Sequence, residues 1–160
     1  MRIIVMSDTH RNYTSLEKII RLHPNADMYI HLGDGEEDVN LAVTRFPEIA
    51  EKFNHICGNC DFNSLSPNLE IIEANEHRIL AAHGHLLSVG YGLAHMKKVA
   101  AENNCDIMLY GHTHVRYNSY EDGIYIMNPG SASCPRDGNK PSYGLIDIID
   151  SGVVMNIADI

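Results

Sequence analysis

The sequence predicts an α/β domain in which two β-sheets pack together with helices outside, and three observations lead to this prediction. In the first half of the chain, short β-branched runs alternate with amphipathic helical segments. In the second half, Asp122-Gly123 and Asp150-Ser151-Gly152 separate apolar runs and predict two β-hairpins. The 160 residues fit one domain over residues 1–160, because no linker, repeat or low-complexity segment divides them.

The elements follow from apolar periodicity and from turn residues. A buried strand over residues 2–6 precedes a helix with an apolar stripe of Leu16, Ile19 and Ile20. The helix is predicted to start at the capping-box spacing of Thr14 to Glu17 and to end at Pro24. By the same criteria, further strands are predicted over residues 28–32, 52–57, 69–74, 77–82, 107–110, 115–121, 124–127, 143–149 and 153–157, and further helices over residues 38–46 and 93–103.

Composition excludes several classes of protein. The formal net charge is −9 and no run of Lys or Arg occurs, so we expect neither duplex nucleic acid nor an anionic membrane as a partner. No apolar segment approaches the roughly 18 residues of a membrane span, and the N-terminal apolar stretch is too short for a signal peptide. Four cysteines are too few for a disulfide scaffold. We therefore expect a cytoplasmic protein.

Five predicted strands end at residues able to bind a metal ion. These residues are Asp8 and His10, Asp34, Asn59, His83, and His112 and His114. Ligands collect beyond the carboxyl ends of strands in open α/β sheets, so we expect these side chains to converge on one edge. If the backbone stays extended within the Asp8–His10 and His112–His114 pairs, both members of a pair face the same side. Each residue alone could form a turn or lie on the polar surface, but this explanation would have to hold independently at all five strand ends.

The donor set indicates the kind of site. Two carboxylates, an asparagine carbonyl and four imidazoles are too many for one ion that keeps an open position. They suit two octahedral divalent ions about 3.5–4 Å apart that share a carboxylate and a water. Because no thiolate is among the donors, Mn, Fe, Ni or Zn could bind. Such a pair lowers the pKa of the shared water and clamps the oxygens of an in-line phosphoryl displacement. The neighbouring Gly33, Gly58, Gly84 and Gly111 allow sharp turns or close backbone approach.

These motifs resemble those of the calcineurin-like metallophosphoesterases, and more narrowly their small single-domain bacterial and archaeal phosphodiesterases. The matching motifs are Asp8-x-His10, Gly33-Asp34, Gly58-Asn59-Cys60-Asp61, His83-Gly84-His85, Gly111-His112-Thr113-His114 and Asn128-Pro129-Gly130-Ser131. The resemblance implies a four-layer α/β/β/α sandwich of two mixed β-sheets with a dinuclear metal centre, manganese being the expected metal. It implies that Asp8, His10 and His114 hold one ion, that Asn59, His83 and His112 hold the other, and that Asp34 bridges them. A bridging hydroxide would then attack phosphorus in line.

Two positions depart from the family pattern. Many relatives have a histidine, as proton donor or phosphate ligand, where this chain has Cys60. A thiol with a pKa near about 8.5 is a poor substitute; His85 could donate the proton instead, or could simply face solvent. Arg11 stands where the first motif usually has glycine, and could either bind a substrate phosphate or extend into solvent.

The sequence therefore predicts a divalent-metal-dependent phosphodiesterase acting on a small phosphoester. The weak proton-donor position and the subfamily both favour a diester. One alternative is a phosphomonoesterase acting on a small metabolite. Another is a non-catalytic interaction scaffold of the same fold, such as the retromer scaffold subunit, which lacks metal-site histidines; here every ligand position is filled. A homo-oligomer is left open.

Overall fold

The computed structural model describes residues 1–160 and contains every predicted strand and helix. The strands are β1 Arg2–Met6, β2 Met28–His31, β3 Phe53–His55, β4 Leu69–Ala74, β5 His77–Ala82, β6 Ile107–Tyr110, β7 Tyr117–Glu121, β8 Ile124–Asn128, β9 Ser142–Ile149 and β10 Gly152–Asp159. The helices are α1 Tyr13–Leu22, α2 Glu36–Arg45 and α3 Ala94–Glu102. These helices are too short and not apolar enough to span a bilayer.

The strands form two mixed five-stranded sheets, in the orders β10-β9-β1-β2-β3 and β4-β5-β6-β8-β7. In the first sheet β1, β2 and β3 are parallel, whereas β9 runs antiparallel to β1. In the second sheet β5, β6 and β8 are parallel, with β4 and β7 antiparallel at the edges. The parallel β6–β8 pair is not implied by the two predicted hairpins, which account only for antiparallel pairs. The chain crosses from β6 to the edge strand β7 before the hairpin returns β8 beside β6.

The layers follow from the alternation of side chains along the strands. Ile3 and Val5 of β1 pack between the two sheets, in one core with residues of β5 and β6. Ile4 and Met6, on the opposite face of β1, pack beneath α1 and α2. A third core joins the outer face of the second sheet to α3 through Met96. The chain is therefore a four-layer α/β/β/α sandwich, in which each fully buried aliphatic side chain contributes roughly 1.5–3 kcal/mol.

Several predicted boundaries are wrong, and two of them have a clear physical cause. Helix α1 begins at Tyr13, and its cap is Asn12, whose Oδ1 accepts a hydrogen bond from the Ser15 backbone at 3.3 Å. The earlier asparagine satisfies the free amide, so the predicted cap at Thr14 lies inside the helix. Strand β3 covers only Phe53–His55, because the preceding segment, from Pro47, forms a 3₁₀ helix that extends to Lys52.

Candidate metal centre

The predicted metal-binding strand ends meet at one end of the sandwich, although two sheets contribute them instead of one edge. Strands β1, β2 and β3 supply three ends from the first sheet, and the neighbouring strands β5 and β6 supply two from the second. Backbone hydrogen bonds join the loops: Asp8 N donates to Gly33 O at 3.0 Å, and Gly111 N donates to His83 O at 3.1 Å. The site is therefore built on rigid backbone.

The backbone at these loops is not extended, so the condition under which both members of each pair face the same side is not met. Five of the predicted ligands have left-handed backbone conformations, with φ of 55° at Asp8, 47° at His10, 58° at Asp34, 66° at His112 and 58° at His114. At each of these positions the chain turns away from its strand. Left-handed non-glycine residues cost about 1–3 kcal/mol each and concentrate at functional sites, where surrounding contacts hold them.

The first donor group consists of Asp8, His10 and His114. The Nε2 atom of His114 lies 3.1 Å from Asp8 Oδ1 and 3.2 Å from His10 Nε2. The Nε2 atom of His10 lies 3.8 Å from Asp8 Oδ1. Three potential donor atoms thus face one small volume.

The second donor group consists of Asn59, His83 and His112. The Oδ1 atom of Asn59 lies 3.1 Å from His83 Nε2 and 2.9 Å from His112 Nδ1. An amide carbonyl with two imidazole nitrogens could also hold a divalent ion.

Asp34 lies between the two donor groups. Its Oδ2 atom is 3.8 Å from His10 Nε2 in the first group and 3.6 Å from His83 Nε2 in the second. Its Oδ1 atom accepts a hydrogen bond from the Cys60 backbone at 2.7 Å. The carboxylate is thus positioned by the backbone and faces both groups.

Backbone carbonyls fix the orientation of two of the imidazoles. His83 Nδ1 donates to Leu32 O, and His114 Nδ1 donates to Cys134 O, each at 2.7 Å. Because a carbonyl can only accept, each Nδ1 carries the hydrogen, and in the neutral ring each Nε2 presents a lone pair to the centre.

The buried carboxylate of Asp8 tests whether these residues suit a cation. Its Oδ2 accepts from Ser7 Oγ at 2.5 Å and from the His112 backbone at 3.1 Å, but Oδ1 is buried without a hydrogen-bond partner. Asp8 Oδ1 and the His114 Nε2 lone pair, 3.1 Å apart, repel each other unless positive charge lies between them. The donor set therefore fits a bound metal ion.

Proton affinities in the first donor group lead to the same conclusion. Burial, the largest single effect, lowers the pKa of His114, but the close contact with the Asp8 carboxylate and its negative charge raise it to about 9. Burial likewise opposes ionisation of Asp8, yet His114, His83 and Ser7 together hold its pKa below the usual value. The pair thus takes up a proton where a cation could bind instead.

Asp61, four residues beyond Cys57, organises the loops that carry Asp34 and Asn59. Its two carboxylate oxygens accept four backbone N–H groups, from residues 34, 35, 36 and 58, at 2.8–2.9 Å. These bonds join the end of β2 and the start of α2 to the loop after β3. From the sequence, Asp61 could be expected to orient a ligand histidine, because it closes the Gly58-Asn59-Cys60-Asp61 motif; the structure shows that it binds backbone N–H groups of the ligand loops instead.

Two further supporting contacts have little signal in the sequence. Ser131 Oγ donates to the Asp8 backbone carbonyl at 2.7 Å, and Asn128 Nδ2 donates to Gly111 O at 2.9 Å. Both residues belong to the segment that the resemblance matches, but turn formation alone would also explain them. Only the fold shows that they brace the Asp8 and His112 loops.

Gly58 permits the close packing of the Asp34 loop. A Cβ atom at this position would lie 2.2 Å from Asp34 Oδ1 and 2.3 Å from Asp34 N. We therefore expect Gly58→Ala to displace the carboxylate, lowering kcat/KM by about 10²-fold and stability by about 1–3 kcal/mol. Steady-state kinetics and thermal unfolding measure both effects.

Gly90 provides the matched control for this prediction. A Cβ atom there meets nothing within 4 Å, and the backbone has no positive φ. Gly90→Ala should leave activity and unfolding within about 0.5 kcal/mol of the parent. Equal effects of the two substitutions would contradict the packing role of Gly58.

The three predicted catalytic side chains, Cys60, His85 and Arg11, have different surroundings. Burial and the Asp34 carboxylate raise the pKa of Cys60 to about 11, so its thiol remains protonated and is a weak proton donor. The His85 ring centroid lies 5.3 Å from that of His83, so this side chain adjoins the centre. The Arg11 side chain is 81% exposed and its Nε lies 3.3 Å from Glu37 Oε2, which favours the solvated interpretation.

His85 is also held in its neutral form. Burial, followed by the neighbouring His83 and His112, lowers the pKa of His85. Its buried Nδ1 atom has no hydrogen-bond partner. The two thiols that flank Asn59, Cys57 and Cys60, are both free.

Comparisons with known proteins identify the family of this chain. The calcineurin-like phosphoesterase superfamily domain matches residues 1–151. The probable metallophosphoesterase YsnB of Bacillus subtilis is 29% identical over 99% of this chain and 91% of its own length. Phosphodiesterase YfcE of Escherichia coli is 28% identical over 92% of this chain and 88% of its length. A crystal structure from Streptococcus pneumoniae, named a predicted phosphoesterase, is 30% identical and superposes with a TM-score of 0.84 over 99% of this chain and 88% of that one.

Proposed function

The chain belongs to the calcineurin-like phosphoesterase superfamily and is a metal-dependent phosphoesterase, and from this premise we propose that it is a phosphodiesterase with a dinuclear metal centre. The observation that carries the proposal is the position of Asp34 between two donor groups, 3.8 Å from His10 and 3.6 Å from His83. In this proposal Asp8, His10 and His114 hold one ion, Asn59, His83 and His112 hold the other, and Asp34 is shared.

The seven proposed ligands supply only oxygen and nitrogen, which supports manganese as the proposed metal, with iron, nickel or zinc as alternatives. The thiols of Cys60 and Cys134 lie within 4.8 Å of a donor atom of His10 but are not among the proposed ligands. When bound, such a pair of ions lowers the pKa of a water between them and offsets negative charge on the phosphoryl oxygens. Four free cysteines agree with the reducing cytoplasm that we propose as its location.

The residues of the chain supply orientation. Leu32 and Cys134 carbonyls hold the imidazoles of His83 and His114 with their Nε2 atoms facing the centre. Asp61 holds the loops on which Asp34 and its neighbours lie, so the substrate phosphate meets a preorganised set of donors.

The preference for a diester rests on the proton-donor position. Cys60, with its raised pKa, is poorly suited to protonate the leaving oxygen of an unactivated ester. His85 adjoins the centre and is the side chain that we propose for proton transfer, but its lowered pKa makes it, like Cys60, a weak proton donor. The name of the relative YfcE, a phosphodiesterase, agrees with this preference.

The test compares two chromogenic esters. Purified protein supplied with Mn²⁺ should cleave bis(p-nitrophenyl) phosphate with a higher kcat/KM than p-nitrophenyl phosphate, and elemental analysis should find close to two ions per chain. Faster cleavage of the monoester would favour the phosphomonoesterase. Less than one bound ion and no hydrolysis with any divalent metal would favour the interaction scaffold.

A further inference from the structure

A groove of about 430 Å³ opens beside the metal centre, between the start of α2 and the loop that follows β3. Its charged lining residues, apart from His10, are Arg11, Asp34, Glu36, Glu37, Asp38 and Asp61. We call this space the acidic groove. Since it adjoins the proposed phosphate position, it could receive one alcohol arm of a phosphodiester.

Three of the carboxylates in the acidic groove are already engaged. Asp34 faces both donor groups of the metal centre, and Asp61 accepts backbone N–H groups through both oxygens. Glu36 accepts a hydrogen bond from Ser64 Oγ at 2.8 Å. Acidic residues at a helix start also stabilise the helix dipole, so these residues alone do not indicate a ligand.

Glu37 and Arg11 form an exposed pair at the rim. The Arg11 Nε atom lies 3.3 Å from Glu37 Oε2, and the side chains are 81% and 75% exposed. This single cation offsets one carboxylate, so the acidic groove remains negatively charged.

Asp38 differs from these carboxylates because one of its oxygens has no hydrogen-bond partner. The residue is 4% exposed, it lines the acidic groove, and its Oδ2 atom is buried without a hydrogen-bond partner. The Thr9 hydroxyl and the Arg11 backbone amide interact with the carboxylate, but burial outweighs them and raises the pKa of Asp38. A buried carboxylate oxygen without a donor is costly, and a cation held in the adjoining groove would offset this cost through its charge.

An aromatic ring, that of Phe62, also lines the acidic groove. Phe62 is 82% exposed, so its ring is accessible to a ligand in the groove. The face of an aromatic ring attracts ammonium groups, most strongly when carboxylates lie nearby. Carboxylates with an aromatic face are the combination that binds alkylammonium ions.

We propose that the acidic groove binds an ammonium group on one alcohol arm of the substrate, so that the enzyme prefers phosphodiesters of amino alcohols. This inference rests on the proposed phosphodiesterase function. In the hydrolysis, a water oxygen bonds to phosphorus, the bond from phosphorus to one alcohol oxygen breaks, and that alcohol leaves with a proton from the water. A phosphomonoester remains, and the ammonium group is unchanged throughout.

Two esters of equal shape test the proposal. The p-nitrophenyl ester of phosphocholine carries a quaternary ammonium group, and in the matching neohexyl ester carbon replaces the nitrogen. Release of p-nitrophenolate by the Mn²⁺-loaded enzyme gives kcat/KM for both. We expect the choline ester to be favoured about tenfold, the combined size of one ion pair and one cation–π contact. Asp38→Asn should lower this ratio to about threefold or less, and Phe62→Leu, at an exposed position, should lower it independently of any effect on folding.

The control removes a carboxylate away from the acidic groove. Glu76 is exposed in the turn between β4 and β5, which precedes β5, whereas His83 follows the opposite end of that strand. Glu76→Gln should leave the ratio unchanged. Hydrolysis of both esters at equal kcat/KM, or an unaltered ratio in both groove variants, would overturn the groove assignment alone. Hydrolysis of neither ester would instead contradict the phosphodiesterase function on which it rests.

Discussion

Asp34→Asn is expected to abolish turnover and to lower the metal content below two ions per chain. The substitution keeps the shape of the side chain but replaces one anionic oxygen by an amide nitrogen, which cannot bind a cation. Because Asp34 faces both donor groups, both proposed ions lose a ligand at once. A loss of about 4 kcal/mol or more in transition-state stabilisation corresponds to a fall in kcat of at least about 10³-fold, which leaves no useful turnover.

Elemental analysis and Mn²⁺-dependent hydrolysis of bis(p-nitrophenyl) phosphate measure this prediction. Asp150→Asn is the matched control, since it removes the same charge at an exposed hairpin turn. That variant should behave as the parent. Near-normal activity of Asp34→Asn would refute the shared-ligand assignment and with it the dinuclear centre.

Asp61→Asn is expected to destabilise the fold by about 3 kcal/mol and to weaken metal binding about 10–100-fold. The side chain is 5% exposed and accepts four backbone N–H groups. An asparagine can accept with its oxygen only, and its amide group would face two backbone donors. The loops that carry Asp34 and Asn59 would consequently separate. Chemical denaturation and metal titration measure the two effects.

The ionisation of Asp61 is expected to make the stability of the protein depend on pH. Burial raises the pKa of Asp61, but its hydrogen bonds from the backbone and the charge of His55 outweigh burial and lower it. A depressed pKa in the folded state means that the stabilisation is complete above the unfolded value, near about 3.9, and is lost as the pH falls through the folded value. The parent should therefore lose stability below about pH 4 more steeply than Asp61→Asn.

Asp27→Asn serves as the comparison for both measurements. Asp27 is exposed and accepts one backbone N–H, from Arg2 at 2.6 Å. Its substitution should cost less than about 1 kcal/mol, because water can replace the lost bond. Similar losses for Asp27→Asn and Asp61→Asn would contradict the organising role of Asp61.

Much of the fold was predictable because local sequence patterns report it directly. The β-branched run at Arg2–Met6 predicts a strand, and the stripe of Leu16, Ile19 and Ile20 predicts the buried face of α1; both predictions are confirmed. The two-sheet architecture with helices outside is confirmed as well. The boundaries were less predictable, since a nearby cap such as Asn12 competes with Thr14 on equal chemical terms.

The sequence by itself determined which residue types stand at the strand ends, and hence the chemistry of the site. A carboxylate or imidazole placed directly after an apolar strand is visible without coordinates, as for Asp34 and His83. The tertiary structure alone decided how these residues group. Left-handed turns at Asp8 and His112 and the four amides gathered by Asp61 have no periodic signature, because they depend on contacts between segments distant in sequence. The acidic groove around Asp38 arises in the same way, where the start of α2 meets the loop after β3.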